Sequence, residues 1–171
     1  MIVSKAKFES KEQVEEDIDL DEVKKRQVQL FSLTNDLDLI SQLPSTAELA
    51  FGLMLGLCRS LVRCNHDVVS MGNWDYTSFM GRQLKGQVIG ILGYGRLGKM
   101  YAKMLSGFEV KTLICEKNKS INVDAAYERV EIEDLFKRSN IVALHIHSTT
   151  DNKKLVDKKL LSLLPRNSFL V

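Results

Sequence analysis

The sequence has little of several features that would decide its class at once. Its 171 residues include only three cysteines, two prolines and one tryptophan, and 24 basic side chains nearly balance 22 acidic ones, for a net charge of +2. A chain this balanced is not expected to bind nucleic acid or an anionic membrane as its main partner. The cysteines form no C-x-x-C pair, which favours reduced thiols in the cytoplasm over a disulfide framework.

An apolar leader and a long apolar run are also missing. The first ten residues, MIVSKAKFES, lack the apolar stretch of a secretory signal. The most apolar stretch, ELAFGLMLGLCRSLV, is interrupted by Gly52, Gly56 and Arg59 and is shorter than the ~20 residues that a membrane span needs. We therefore expect a cytoplasmic protein without a membrane segment. Its 44% hydrophobic and 27% charged residues are typical of a globular domain with one sizeable core.

The first part of the chain predicts only short elements. Residues 19–26, DLDEVKKR, are acidic at the start and basic at the end, which suits the dipole of a short helix. Residues 28–33, VQLFSL, alternate like a strand. We expect a loop from there to Pro44.

Residues 45–62 predict the longest helix, and nearly all of its surface is apolar. Such a helix must be covered on both sides. Its own sheet would cover one side, and a partner subunit or a second domain would cover the other. Residues 65–87 are polar and contain three glycines and Trp74. We expect a loop there, with the tryptophan anchoring it to the core.

From Val88 onward the chain alternates between strands and helices. The expected strands are 88–92, 109–114, 140–146 and 168–171, and the expected helices are 96–106, 131–138 and 157–164. Near-continuous apolar strands that alternate with helices indicate parallel strands covered on both faces. The sequence therefore predicts an α/β fold with a doubly wound, Rossmann-type parallel sheet.

The residues VIGILGYGRLG at 88–98 place three glycines in a G-x-G-x-x-G spacing between the first of these strands and its helix, with Tyr94 inside the turn. The dinucleotide-binding fingerprint requires this strand–turn–helix context. It also requires an acidic residue at the end of the second strand, about 20 residues on. Glu116 lies 18 residues after Gly98. All conditions are met, so the sequence predicts a dinucleotide site.

Each residue of this turn has a physical task. Gly93 permits the tight turn, Gly95 lets the backbone approach a pyrophosphate, and Gly98 lets the helix pack closely on the strand. The N–H groups of Arg96 and Leu97 would face the phosphates at the positive end of the helix. The guanidinium of Arg96 would add a charge-assisted contact.

Glu116 would accept hydrogen bonds from the adenosine ribose. A carboxylate there repels a 2′-phosphate and favours NAD over NADP, although Lys117 and Lys119 are near in sequence. An S-adenosylmethionine site also uses a glycine turn and a strand-end acid and is one alternative. Arg96, placed for a pyrophosphate, counts against it.

Four stretches of the chain carry a family pattern. They are IDLDEVKKR, STAELAFGLMLGLCRSL, GNWDYTSFMGRQLKGQVIGILGYGRLGKM and LVDKKLLSLLPRNSFLV. In order and spacing they resemble the D-isomer-specific 2-hydroxyacid dehydrogenases, especially those like D-3-phosphoglycerate dehydrogenase. The resemblance implies an NAD-dependent oxidoreductase of a small 2-hydroxy acid that forms a homodimer through its Rossmann domain, which fits helix 45–62. It also implies that the loop containing His145, His147 and Thr149 lines the cofactor cleft.

The resemblance further implies how an enzyme of this family is divided. In the family, the catalytic arginine, acid and histidine follow the strand that matches SFLV at 168–171, so we expect no catalytic residue in this chain. We assign residues 1–43 to a remnant of the substrate domain with its linker, and residues 44–171 to the NAD-binding domain. The alternative is a non-catalytic module that senses NAD(H). The sequence does not single out one hydroxy acid.

The remaining reactive side chains have simpler interpretations. His145 and His147 are spaced to share a face of a strand end, but no third ligand is evident and we expect no metal. Neither is expected to act as the catalytic base. We expect His66 to be solvated and Cys115 to be an inert buried thiol.

Overall fold

The computed structural model describes residues 18–29, 37–147, 149 and 152–171. The chain divides after Pro44 into two compact units, Met1–Pro44 and Ser45–Val171. The assignment of the first unit to a substrate domain stays a prediction.

The described residues of the first unit form two short helices. Helix α1 spans Leu20–Lys25, and the carboxylate of Asp19 caps it by accepting hydrogen bonds from the first-turn N–H groups, as the pattern of residues 19–26 predicts. The strand predicted at 28–33 lies mostly outside the described residues, and its first two residues are not in a strand.

Helix α2 spans Leu37–Ser41, so the loop predicted up to Pro44 is wrong in this part. The last turn of α2 is closed by polar side chains. The hydroxyl of Ser41 and the amide of Gln42 both donate to the carbonyl oxygen of Asp38, at 2.7 and 3.2 Å. Such local bonds satisfy a helix end without requiring an apolar pattern in the sequence.

The second unit begins with two consecutive helices, α3 over Ser45–Cys58 and α4 over Leu61–Met71. The single helix predicted for 45–62 therefore stops at Cys58. Ser60 breaks it, because its backbone is left-handed with a φ of 53°.

Helix α4 also corrects the loop predicted for 65–87, which is helical up to Met71. Gly72 ends α4 in a left-handed conformation, with a φ of 64°. Trp74 is 78% exposed, so the prediction that it anchors the following segment to the core is wrong. That segment is held instead at Arg82, whose N–H donates to the carbonyl oxygen of Cys58 at 2.8 Å.

Five parallel strands form the sheet of the second unit in the order β3-β2-β1-β4-β5. They are β1 Val88–Leu92, β2 Lys111–Cys115, β3 Glu128–Arg129, β4 Ile141–Leu144 and β5 Phe169–Leu170. The order reverses beside β1, between β1 and β4, and ligands of open α/β sheets bind at such a switch point. The doubly wound Rossmann-type sheet is confirmed, and only the two-residue β3 is absent from the prediction.

Helices cover both faces of this sheet. The remaining helices are α5 Arg96–Leu105, α6 Ile132–Arg138 and α7 Lys158–Leu163, each within one residue of the prediction at either end, and a short 3₁₀ turn, Ser106–Phe108, follows α5. On one face, Met54 of α3 and Tyr101 of α5 pack on Ile91 of β1. On the other face, Phe136 of α6 and Leu160 of α7 belong to a second buried cluster. Strands buried on both faces explain the near-continuous apolar runs.

The register of the central strands determines which residues lie side by side at the carboxyl ends of the strands. Leu92 of β1 lies opposite Cys115 of β2 and Leu144 of β4. The three strands therefore end level with one another. The residues that follow them, which include the glycine turn, Glu116 and His145, lie along one edge of the sheet.

Among the described residues, no single helix has the length and hydropathy of a membrane span. Only Asp38–Cys58 and Leu61–Met71 taken together, across the bend between them, reach those values by length and composition.

Candidate functional site

The glycine turn joins β1 to α5 at this edge. Gly93 has a φ of 96°, and a β-carbon there would lie 2.6 Å from the carbonyl oxygen of His145. A β-carbon at Gly98 would collide with the carbonyl oxygen of Gly93. The turn is thus too tight for a side chain at either position, as the sequence predicts for a tight turn and a closely packed helix.

Gly95 has a different environment. It is the residue before α5, its backbone is extended with a φ of −73°, and a β-carbon there would have no atom within 4 Å. Because glycine has no side chain, no side-chain hydrogen bond caps the first turn of this ten-residue helix. The positive end of α5 therefore faces open space beside Gly95. Arg96 and Leu97 are the first two residues of α5, with Arg96 exposed and Leu97 half-buried.

Glu116 reaches back from the end of β2 to this turn. Its Oε2 accepts a hydrogen bond of 2.7 Å from the N–H of Tyr94, and its Oε1 accepts one of 2.8 Å from the N–H of Asn118. The ring of Tyr94 is buried and meets the ring of Tyr127 edge to face, with 6.2 Å between the ring centroids. The strand-end acid and the glycine turn are thus in direct contact.

Arg129 of β3 makes contacts that sequence reasoning missed. Its guanidinium donates to the carbonyl oxygens of Glu116, Asn118 and Ile121, at 2.8, 2.9 and 2.9 Å. A single arginine in a two-residue strand carries no periodic signal. Its role is visible only in the structure, where the loop folds around its guanidinium.

Lys119 lies in the same loop and forms an ion pair of 2.8 Å with Glu131. Both side chains are largely exposed, so the pair is screened by water and contributes little to stability. It does, however, direct the ammonium group toward Glu131.

His145 follows β4, and its carbonyl oxygen lies against Gly93 of the glycine turn. Its backbone N–H donates to the carbonyl oxygen of Leu92 at 2.8 Å. The centroid of its imidazole ring is 4.8 Å from the ring centroid of the buried Tyr101. The ring Nε2 is buried and has no hydrogen-bond partner. Burial lowers the pKa of this imidazole below its ordinary value. His145 is therefore a ring packed against the core, where burial favours its neutral form.

The other two predicted residues of this loop are held by one side chain. The amide of Asn152 donates to the carbonyl oxygen of His147 at 2.5 Å, and its oxygen accepts from the N–H of Thr149 at 2.8 Å. The side chain of His147 is exposed and Thr149 is half-buried. Asn152 thus fixes the backbone after β4, a second contribution that sequence reasoning missed.

The described residues place no three His, Cys, Asp or Glu side chains together as a metal site. Cys115 is half-buried, not buried as predicted, and partial burial raises the pKa of its thiol to about 11. That the thiol is inert stays a prediction. His66 is exposed, as predicted.

These features fit a dinucleotide. Gly95 leaves room for a ligand at the positive end of α5. The close contact between Gly93 and Gly98 places that end of the helix against the sheet. A carboxylate, Glu116, lies at the next strand end.

The family model described as "D-isomer specific 2-hydroxyacid dehydrogenase, NAD binding domain" matches residues 51–171. The chain belongs to this family and carries its NAD-binding domain. The family resemblance, the Rossmann-type fold and NAD as the cofactor of this domain are thereby confirmed.

Relatives of this chain differ in their named activities. A glyoxylate reductase from Thermococcus litoralis is 30% identical over 165 residues, which cover 91% of this chain and 48% of that protein. A D-3-phosphoglycerate dehydrogenase from Methanocaldococcus jannaschii is 28% identical over 130 residues, covering 74% of this chain and 25% of that protein. The chain thus spans about half of the first relative and a quarter of the second.

A solved structure shows the same architecture with a ligand. The NAD-dependent formate dehydrogenase from Staphylococcus aureus, in complex with NAD, is 26% identical and superposes with a TM-score of 0.69. The match covers 76% of this chain and 39% of that one.

Proposed function

We propose that this chain binds NAD(H) at the glycine turn and orients it for hydride transfer from C2 of a small D-2-hydroxy acid to NAD, or from NADH to C2 of the corresponding 2-oxo acid. The observation that carries the proposal is the open space at Gly95, which lies at the uncapped positive end of α5. NAD, when bound, supplies the hydride acceptor, and the protein supplies binding and orientation.

The turn would hold the pyrophosphate. Gly95 would let the phosphates approach the backbone, and the N–H groups of Arg96 and Leu97 would donate to them. The guanidinium of Arg96 would add charge. Gly93 and Gly98 would act through the shape of the turn, because neither has space for a ligand beside it. Tyr94 would act through its backbone, which holds the acid described next.

Glu116 would bind the adenosine ribose. The N–H groups of Tyr94 and Asn118 each occupy one carboxylate oxygen, and each oxygen keeps a second lone pair for a ribose hydroxyl. Its charge repels a 2′-phosphate and favours NAD. The ammonium of Lys119 pairs with Glu131 rather than with Glu116. His145, His147 and Thr149 would line the cleft along the loop after β4.

The substrate is proposed only as a class. The two relatives are named for glyoxylate and for D-3-phosphoglycerate, which share a carboxylate next to the reacting carbon. We propose a small 2-hydroxy acid or its 2-oxo form, and we propose a cytoplasmic location, which the three free cysteines support.

We further propose a homodimer through helix 45–62, which corresponds to α3 and the start of α4. Leu49, Leu53 and Leu57 recur every four residues on α3 and are 64%, 54% and 45% exposed. Ala47, Met54 and Cys58, in contrast, are buried. An apolar stripe of this kind on a soluble domain marks an interaction surface.

Calorimetric titration of the 171-residue chain tests the cofactor proposal. We expect one NADH per chain, weaker binding of NADPH, and no heat with S-adenosylmethionine. A chain that is folded by circular dichroism and binds S-adenosylmethionine but not NADH would contradict the proposal.

A further inference from the structure

The loop that carries Glu116 has no regular structure of its own. It spans residues 116–127 and contains neither helix nor strand. A loop of this length has many accessible conformations, so a side chain on it has a defined position only where the backbone is anchored.

Arg129 supplies that anchor. Its guanidinium donates to three backbone carbonyl oxygens of the loop, those of Glu116, Asn118 and Ile121, at distances between 2.8 and 2.9 Å. Arginine is suited to this task, because its planar fork holds five donors in fixed directions and stays charged at any physiological pH.

Of the three anchored residues, Glu116 carries the carboxylate that would face the ribose, and Asn118 binds it. Asn118 accepts from Arg129 through its carbonyl and donates its N–H to Oε1 of Glu116. Glu116 accepts from Arg129 through its own carbonyl, while its Oε2 accepts from the N–H of Tyr94. One guanidinium therefore holds the backbone of Glu116 and the backbone of Asn118, whose N–H binds the Glu116 carboxylate.

We propose that Arg129 is a positioning residue that holds the carboxylate of Glu116 against the glycine turn and thereby sets the affinity for the adenosine ribose and the preference for NAD(H) over NADP(H). The proposal rests on the proposed function. Three donors of Arg129 are bonded to the loop, so we assign it the role of holding the loop.

The first test compares Arg129→Met with Arg138→Met. Methionine keeps an unbranched apolar stem and removes the donors. Arg138 is a matched control, because it pairs with the carboxylate of Glu128 at 2.7 Å and makes no hydrogen bond or ion pair with the described residues of the 116–127 loop.

We expect Arg129→Met to weaken NADH binding about tenfold, which corresponds to the loss of one charge-assisted contact. NADPH binding should fall less, because a mobile carboxylate can move away from the 2′-phosphate. The control should change neither.

A double-mutant cycle shows whether Arg129 acts through Glu116. In a Glu116→Gln background, Arg129→Met should weaken NADH binding by less than about threefold, since the carboxylate it positions is already gone. An equal loss in both backgrounds would show a general structural effect and overturn the proposal. An unchanged ratio of NADH to NADPH affinity would overturn it too.

Hydrogen exchange in the absence of cofactor separates the anchor from the cofactor site. The amides of Tyr94 and Asn118 donate to Glu116, so both should exchange faster in Arg129→Met than in Arg138→Met. If the wild-type chain binds no NADH, the proposed function fails, and the proposed role of Arg129 in ribose binding fails with it.

Unchanged amide exchange in Arg129→Met together with intact NADH binding overturns the positioning role alone. If Arg129→Met does not fold, Arg129→Lys, which keeps the charge but not the planar fork, should show a smaller loss in the same direction, and wild-type values would overturn the proposal.

Discussion

Gly98 lies so close to the carbonyl oxygen of Gly93 that a β-carbon on Gly98 would collide with it. This contact brings the first turn of α5 onto the end of β1. It also places the positive end of the helix at the switch point between β1 and β4. Because the obstructing atom belongs to the backbone, no side-chain rotation relieves the collision.

Gly98→Ala should therefore destabilise the fold. We expect the free energy of unfolding to fall by about 2 kcal/mol, the usual cost of overpacking a close contact. Urea denaturation measures it. Gly107→Ala is the control, since a β-carbon at Gly107 would have no atom within 4 Å, and it should change stability by less than about 0.5 kcal/mol. Equal effects of the two substitutions would contradict the packing role of Gly98.

His145 should make stability depend on pH. Burial lowers its pKa in the folded state, so the unfolded chain binds this proton at a higher pH than the folded chain does. The stabilising contribution is complete above the ordinary pKa of 6.5 and is lost as the pH falls through that value toward the folded one.

His145→Phe keeps a ring against Tyr101 and removes both the ionisation and the unpaired Nε2. We expect this variant to be about 1 kcal/mol more stable than the wild type near neutral pH. Its stability should also fall less between about pH 7.5 and 5.5. Denaturation curves across this range, with His66→Gln as an exposed control, provide the measurement. Parallel pH profiles of wild type and His145→Phe would refute the prediction.

Leu53 should be needed for self-association. A charge in the middle of the exposed stripe of α3 would have to be buried in the proposed dimer without a partner, so Leu53→Glu should yield monomers. Sedimentation velocity reports the change. Leu161→Glu, on a 43% exposed leucine of α7, is a matched control that should leave the dimer intact. A wild-type chain that sediments as a monomer would remove the basis for the dimer.

The strand–turn–helix unit at 88–105 could be read from the sequence because its requirements are local. Gly98 contacts Gly93, which is only five positions before it, and β1 is recognised by its own apolar residues. The space at Gly93, in contrast, is closed by the distant His145. The position of Glu116 follows as well, since parallel strands end at the same edge.

The parts that the sequence did not predict depend on contacts between distant segments. Helix α4 follows a break at Ser60 and contains polar residues, which favour a loop. Apolar residues nevertheless recur in it at helical spacing, at Leu61, Cys64, Val68 and Met71. Trp74 is exposed, since none of the described residues covers it. Arg129 and Asn152 act by bonding to backbone atoms, and the residue type of a side chain does not reveal which carbonyl it reaches.

Gly95 offers the most direct test of cofactor binding, because the space beside it separates the fold from the ligand. Its φ of −73° and the absence of any atom within 4 Å of a β-carbon allow alanine without strain. Calorimetry should give a dissociation constant for NADH at least about tenfold higher for Gly95→Ala than for the wild type, with the same melting temperature. Equal NADH affinity of the two proteins would contradict binding of the cofactor at this turn.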